Sequence, residues 1–372
     1  MNVLVVHNPE IGTWPPVRNL VENLLNNGHK VVLITKDGYN SLKIDDENLT
    51  VHLLNSYKKK HYLQNIIYFL KNELRLKRLV KGYTGECDVL WTTTDSSVRA
   101  LGKLVFKYRH IMELLELAED MPYIRSLNFP KVNLKKYAQR AWKVVVPEYN
   151  RAHILKAWWN LEETPCILPN KPYRLENNTE TPDIEKIIAK MDTESRKIVL
   201  YQGVFYKDRK LDAFAEAIDS LKDEYVFYIM GRDNSTRQEL CRKYKNIEYI
   251  PFIPAPNHLL ITKHADIGVL PYIPQKVMHY SSLNALYCAP NKIYEYAAYG
   301  LPMIGSDVPG LMHSFTKYNI GVCCKKLTAQ DVIKALNYVS EHYDEMKKNC
   351  NRFFYDTDLD EIVNNEILEG KK

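Results

Sequence analysis

No two cysteines are spaced as CxxC, and the seven present are scattered, apart from adjacent Cys323 and Cys324. That spacing excludes a disulfide framework and a structural zinc site, and it points to a reducing compartment. No apolar run reaches 18 residues, so no membrane-spanning helix is expected. The start, MNVLVVHNPE, has neither a basic segment nor a small-residue cleavage site, so no secretory signal is expected. The GxGxxG fingerprint is missing. No DxD-type metal motif sits in a convincing loop, Asp45-Asp46 lying in a polar turn, and no metal site is expected. There is no acidic surplus either, the formal net charge being +6.

Most of that charge is in one place. Tyr57 to Lys81, YKKKHYLQNIIYFLKNELRLKRLVK, holds eight Lys or Arg and one Glu, a net of +7, so the remainder is close to neutral. Leu63, Ile66, Ile67, Leu70 and Leu74 fall at helical spacing, with Tyr57, Tyr62, Tyr68 and Phe69 between the cations. The segment reads as a partly amphipathic surface helix over the N-terminal sheet, and its charge suggests a local anionic surface as partner, a membrane rather than nucleic acid. No nucleic-acid-binding motif accompanies the charge.

The 372 residues, 45% of them apolar, suit about two domains. NVLVVH, KVVLIT, LTVHLL, DVLWTT, YRHIM and KVVVP read as strands. The helical stretches between them include one with Val17, Leu20, Val21, Leu24 and Leu25 on a face, so βαβ units and a parallel sheet are expected. ILPNKPYRLENNTETPD, Ile167 to Asp183, reads as a linker. The pattern then restarts with KIVLYQG, YVFYIMG, NIEYIPF, ADIGVLPY and LPMIGSD, and from Leu327 the chain reads as helical and polar. Two Rossmann-like halves with a cleft between them are expected. Ligands of such sheets lie beyond the carboxyl ends of the strands.

In YQGVFYKDRKLDAF, Gly203 allows close backbone approach, Asp208 is a plausible helix cap, and Lys207, Arg209 and Lys210 crowd a helix start. Cations there oppose the helix dipole by roughly 0.3–1 kcal/mol each, and a bound phosphate reverses the sign. The other reading is solvated surface charge. YIMGRDNSTRQEL repeats the arrangement, with Gly231 ending a strand, Arg232 facing the same anion and Asn234 or Ser235 as cap. An ordinary strand–turn–helix junction would look the same. In CAPNKIYEYAAYGLP, Asn291 is placed to cap a short helix that carries Lys292 and, three residues on, Glu295. The pair could be an intrahelical ion pair, contributing only about 0.2–0.5 kcal/mol. Or each has its own target, Lys292 a phosphate and Glu295 a ribose diol, with Ala297 and Ala298 letting the helix pack close to the sheet.

LNALYCAPNKIYEYAAYGLPMIGSDVPGL resembles the C-terminal signature of the GT-B glycosyltransferases, specifically the retaining group called family 4. YQGVFYKDRKLDAF is similar to their phosphate loop, KHADIGVLPY to one of their strands, and VVVPEYNRAHILKAW and ILPNKP to segments of their N-terminal half. The resemblance implies that Glu295 binds ribose, that Lys292 and Arg209 bind the diphosphate, and that backbone near Phe252 reads the base. Many members carry a second glutamate nearby, next to the transferred sugar. Here the stretch is NALYCAP, with Cys288 and no acid, and Asn284 or the backbone amides after it are the candidates to substitute. YRHIMELLELAEDMP resembles the family's loop facing the sugar, with His110 and Glu113 as catalytic or acceptor-side candidates and Glu116 behind them; a helix start would also be acidic. Gly12, in the loop before Trp14, Pro15 and Pro16, matches a glycine where backbone approaches donor or acceptor.

The expected fold is thus α/β of the GT-B type. Residues 1–170 would form the acceptor-side domain, joined by a C-terminal helix at about 350–372 that crosses back to it. Residues 171–349 would form the nucleotide-sugar domain. The implied activity is a metal-independent retaining transfer from a UDP- or GDP-linked sugar to a glycan or lipid-linked saccharide, as in bacterial-type surface polysaccharide assembly, on the cytoplasmic side and peripheral to the membrane. No cofactor beyond the donor is implied. The rivals are a nucleotide-sugar epimerase of the same fold and a catalytically silent partner subunit.

Overall fold

The computed structural model describes residues 1–36, 44–55, 62–124, 129–175, 180–206, 209–277 and 279–369. The chain divides into two compact units. One is Met1–Tyr173 with Lys276–Ser281 and Leu359–Lys372; the other is Arg174–Gln275 with Ser282–Asp358.

The first unit is built on a seven-stranded sheet. Its strands are β1 (Asn2–Glu10), β2 (Lys30–Lys36), β3 (Leu49–Leu54), β4 (Val89–Thr92), β5 (His110–Glu113), β8 (Lys143–Val146) and β9 (Cys166–Ile167). A separate antiparallel pair, β6 (Met121–Ile124) and β7 (Phe129–Val132), precedes β8. The order is β3-β2-β1-β4-β5-β8-β9, with parallel pairing throughout. Val3 to Val6 are buried without alternation, as a central strand covered on both faces requires. The helices are α1 (Pro15–Asn26), α2 (Tyr62–Gly82), α3 (Asp95–Leu101), α4 (Leu134–Ala138) and α5 (Tyr149–Trp159). Pro15 opens α1, where a missing N–H costs nothing, and Val17, Leu20, Val21, Leu24 and Leu25 form its buried face.

The second unit repeats the plan with β10 (Lys197–Gln202), β11 (Tyr225–Gly231), β12 (Ile247–Pro251), β13 (Ile267–Leu270), β14 (Met303–Ser306) and β15 (Gly321–Cys324). These run parallel in the order β12-β11-β10-β13-β14-β15. Around them lie α6 (Pro182–Asp192), α7 (Leu211–Ser220), α8 (Ser235–Lys243), α9 (His258–Thr262), α10 (Leu283–Leu286), α11 (Asn291–Ala297), α12 (Pro309–Tyr318), α13 (Ala329–Glu341) and α14 (Tyr343–Asp356). Both sheets therefore reverse their strand order once, at β1/β4 and at β10/β13. That is where ligands meet doubly wound sheets.

One expectation is corrected. The stretch after Leu327 is helical but not polar throughout: Val332, Leu336, Val339, Met346, Cys350, Phe353 and Phe354 are buried, and polar residues fill only the outer faces. The last helical turns, Leu359–Glu361 and Ile362–Glu369, place Leu359, Val363, Ile367 and Leu368 in the first unit's core. Asn23 Nδ2 and Tyr173 Oη both donate to Asp360 there, at 2.7 and 3.0 Å. The strand β15, GVCC, was also missed, because its four residues show neither alternation nor β-branched enrichment.

Candidate active site

The second unit's site starts at its switch point. Gly203 follows β10, and its N–H donates to Met230 O at 2.9 Å. Its φ is +144°, and a Cβ there would lie 3.2 Å from Lys292 Cε and 3.4 Å from Lys292 Nζ. Glycine is required on both counts. Gly231 makes room for this loop: a Cβ on it would fall 2.0 Å from Gly203 O and 2.8 Å from the Phe205 ring. Lys207 and Asp208 lie outside the described residues. The helix α7 begins at Leu211 with Lys210 at its N-cap, which has no side-chain cap bond, so the expected Asp208 cap is corrected.

Arg209 forms an isolated antiparallel bridge with Tyr272, two residues past β13. Its guanidinium lies 4.5 Å from the Tyr272 ring centroid. Lys292 Nζ approaches the same tyrosine, 3.5 Å from Oη and 6.0 Å from the centroid. One aromatic ring thus gathers two cations from distant parts of the sequence, next to a backbone without a side chain. A diphosphate has the charge and the acceptor oxygens to use both.

Asn291 does not cap α11; the cap position is Pro290, with Asn291 as first helical residue, because the chain enters through an extended proline. Nor do the alanines alone set the helix against the sheet. Tyr296 packs where a Cβ on Gly268 of β13 would be 2.2 Å from its ring, and its Oη donates to Leu200 O at 3.2 Å. That anchoring turns Glu295 inward, leaving it 6% exposed. Glu295 Oε2 accepts from Gln202 Nε2 at 2.6 Å, Oε1 lies 3.3 Å from His258 Nε2, and Thr262 Oγ1 donates to Gln202 Oε1 at 2.7 Å. Lys292 and Glu295 form no ion pair with each other; each has its own partners. Burial pushes the Glu295 pKa up, but the His258 charge and hydrogen bond, the Lys292 ammonium and the Gln202 amide outweigh it, and the net shift is downward. His258 Nδ1 is buried and has no partner among the described residues.

The other expected donor residues surround this centre less closely. Arg232 lies over Phe252, 4.5 Å from the ring centroid, and Phe252 is 47% exposed. Asn234, not Ser235, caps α8 by accepting from Arg237 N–H at 2.9 Å. Asn284 sits in the single turn α10, and Cys288 is buried where a Cβ on Gly310 would touch its backbone. Sequence reasoning missed Gln202, His258, Thr262 and Tyr272. Gln202 carried a signal, a polar residue ending a buried strand just before glycine; His258 and Thr262 carried none.

In the first unit the strand expected at YRHIM is present and runs on to Glu113, where a sugar-facing loop was expected. His110 and Glu113 lie within the short strand β5 and are buried, on opposite faces, because they are an odd number of residues apart. His110 Nε2 lies 2.9 Å from Thr92 Oγ1, and burial lowers its pKa to about 3. Glu113 accepts from Trp91 Nε1 at 2.8 Å, and burial, only partly offset by that bond, raises its pKa to about 8. Glu116 is 4.0 Å from Arg151 Nη2, and Gly12 is exposed in a short 3-10 turn, Ile11–Thr13.

Glu113 yields a pH prediction. Its folded pKa of about 8 stands above 4.5, so the folded chain keeps a proton that the unfolded chain releases. Stability is fully present below 4.5 and is lost as pH rises through 8. Glu113→Gln keeps an acceptor for Trp91 and has no proton to lose. In urea unfolding, its stability relative to wild type should rise between pH 5 and pH 8, by up to a few kcal/mol. Parallel pH profiles would show instead that the carboxyl is ionised in the folded protein.

Comparison with solved structures defines the class. A glycosyltransferase from Rickettsia africae ESF-5 superposes with a TM-score of 0.70 at 16% identity, over 100% of this chain and 97% of that one. Anabaena Alr3699/HepE, solved with UDP and glucose, gives 0.66 at 11%, over 99% and 98%. WaaG, a glycosyltransferase involved in lipopolysaccharide biosynthesis, gives 0.60 at 15%, over 99% and 100%. At these identities the likeness is one of fold, and the fold is GT-B, with two Rossmann-like domains. Residues 183–355 match the family model described as Glycosyl transferases group 1; Gly203, Arg209, Tyr272, Lys292 and Glu295 all fall inside the matched stretch. No curated protein matches the chain.

Proposed function

We propose that the chain is a retaining glycosyltransferase of the family 4 type, moving a sugar from a UDP- or GDP-linked donor to a glycan or lipid-linked saccharide without a metal ion. The observation that carries the reading is Tyr272, which gathers Arg209 and Lys292 beside Gly203 at the β10/β13 switch point. The acceptor oxygen attacks the anomeric carbon from the face the leaving group departs. The bond to the diphosphate oxygen breaks, and that oxygen takes the acceptor proton. Arg209 and Lys292 stabilise the charge that grows on the diphosphate. Glu295, held by Gln202 and His258, faces the ribose diol. The HepE structure with UDP and glucose supports a nucleotide-sugar donor.

Thermal unfolding with a panel of nucleoside-diphosphate sugars tests this. One of them should raise Tm, since a ligand at 100 times its Kd adds about 2.7 kcal/mol. Its turnover should require an acceptor; turnover without one would indicate epimerisation or hydrolysis. Stabilisation by none would overturn the reading.

The acceptor would be reached at a membrane. Supporting this, α2 buries Glu73, Leu76 and Val80 but leaves Ile67 52%, Leu70 45% and Leu74 66% exposed. Lys71, Arg78 and Lys81 are exposed beside them. An apolar stripe bordered by cations suits the cytoplasmic leaflet, each cation contributing about 1 kcal/mol. Tyr57 and Lys58 to Lys60 lie outside the described residues. Among the described residues no helix is long and apolar enough to cross a membrane. Replacing Ile67, Leu70 and Leu74 with Ser and Lys71, Arg78 and Lys81 with Gln should abolish sedimentation with phosphatidylglycerol vesicles. If wild-type protein stays in the supernatant even at low salt, the face is only solvated.

A further inference from the structure

The first unit has an open groove of about 480 Å³ at the carboxyl ends of β1, β2 and β3, closed on one side by α2. That volume suits a small ligand. Trp14 and Tyr68 line it with rings, and Asn55, Asn65 and Asn72 with amides. Asn65, Tyr68 and Asn72 share one face of α2 by their spacing, away from the exposed apolar stripe. Trp14 is held edge-on by the buried His7 ring, at 5.6 Å and 67°. Asn72 is fixed by donating to Asn55 O at 2.7 Å. Rings with planar amides are the chemistry that recognises a sugar, its C–H faces on the rings and its hydroxyls on the amides.

Lys36, at the end of β2, adds a charge. It is half-buried in the groove, and among the described residues no ion pair engages it. Of the two carboxylates that act on it, Glu10 is exposed at the rim and the buried Glu73 is already paired with Arg99 at 3.1 Å. Burial and the Arg99 charge hold the Lys36 pKa below the usual lysine value, against the pull of Glu10 and Glu73. A partly desolvated ammonium gains most from an anion that arrives with the ligand.

We infer that this groove binds a negatively charged sugar, its ring on Trp14 and Tyr68, its hydroxyls on the asparagines and its anionic group on Lys36. The inference rests on the transferase reading only in naming that sugar as part of the acceptor. A carboxylate and a phosphate would both satisfy it.

Calorimetry on the full chain separates the possibilities, with UDP and GDP present so that anions at Arg209 and Lys292 are not read. The probes are methyl glucoside, methyl glucuronide and glucose 6-phosphate. At least one charged sugar should bind roughly tenfold tighter than the glucoside. Binding of the glucuronide alone would assign a uronate, of the phosphate alone a sugar phosphate, and of both the charge itself. Lys36→Met should remove the preference and Lys36→Arg should retain most of it, with unchanged Tm in both. The inference is overturned if no probe binds, if the glucoside binds as tightly as the charged sugars, or if Lys36→Met leaves the preference intact. Binding is read without turnover. A chain that takes the charged sugar but is stabilised by no nucleotide sugar would sink the transferase reading alone, and the reverse result would sink the groove alone.

Discussion

Arg209→Ala and Lys292→Ala are each expected to lower kcat by about 10²–10³, the range for removing one preorganised electrostatic contact, while KM for the donor rises far less. On the proposed reading both side chains would meet the diphosphate before and during the reaction, but its charge would grow only as the bond to the anomeric carbon breaks. An interaction that strengthens in the transition state appears in kcat. The shared tyrosine sharpens the expectation. Because both cations lean on Tyr272, removing one also loosens the other's placement, so the double variant should lose less than the product of the two single losses. Tyr272→Leu should reproduce part of each effect without changing any charge. Steady-state kinetics on the three single variants and the double decides this. A KM effect alone in each, or strictly multiplicative losses, would mean that the two cations bind the ground state independently.

How much of this was legible follows from what each signal depends on. The sheets were legible because a covered parallel strand must be apolar along its length, as Val3 to Val6 and Tyr225 to Met230 are. Gly203, Arg209, Lys292 and Glu295 stood out in the sequence as motif residues, and the structure brings Gly203, Arg209 and Lys292 together at Tyr272. The partners of those residues did not stand out. Tyr272 and His258 meet Lys292 and Glu295 only through the sheet order, and nothing in their local sequence marks them. The burial of His110 and Glu113 was hidden for a related reason. YRHIM reads as a strand, but a histidine and a glutamate on it do not read as buried until Thr92 and Trp91 on the neighbouring strand supply the hydrogen bonds. On α2 the spacing of Ile67, Leu70 and Leu74 marked an apolar stripe but not which face is buried: that face is Glu73, Leu76 and Val80, with Glu73 paired to Arg99.

Glu295→Gln is expected to weaken binding of the nucleoside diphosphate by about 1.5–3 kcal/mol, the range for hydrogen bonds to a charged group. Folding should be affected too, because of the buried network. Glu295 accepts from Gln202 on one oxygen and faces His258 with the other, and a glutamine amide offers an acceptor to only one of them unless the His258 tautomer changes. A stability loss of about 1–3 kcal/mol should therefore accompany the affinity loss. Because the Glu295 pKa is held below its ordinary value of 4.5, that contribution is present above 4.5 and disappears as pH falls through the folded value, so the stability gap should close on acidification. The two effects separate with two ligands and a second variant. Inorganic pyrophosphate has no ribose, so its affinity, measured by calorimetry, should be nearly unchanged in Glu295→Gln. Gln202→Leu breaks the network without removing the carboxylate, and should cost stability while retaining most of the preference for the nucleoside diphosphate over pyrophosphate. If Gln202→Leu loses that preference as fully as Glu295→Gln, or if pyrophosphate binding falls equally, Glu295 acts only by positioning its neighbours.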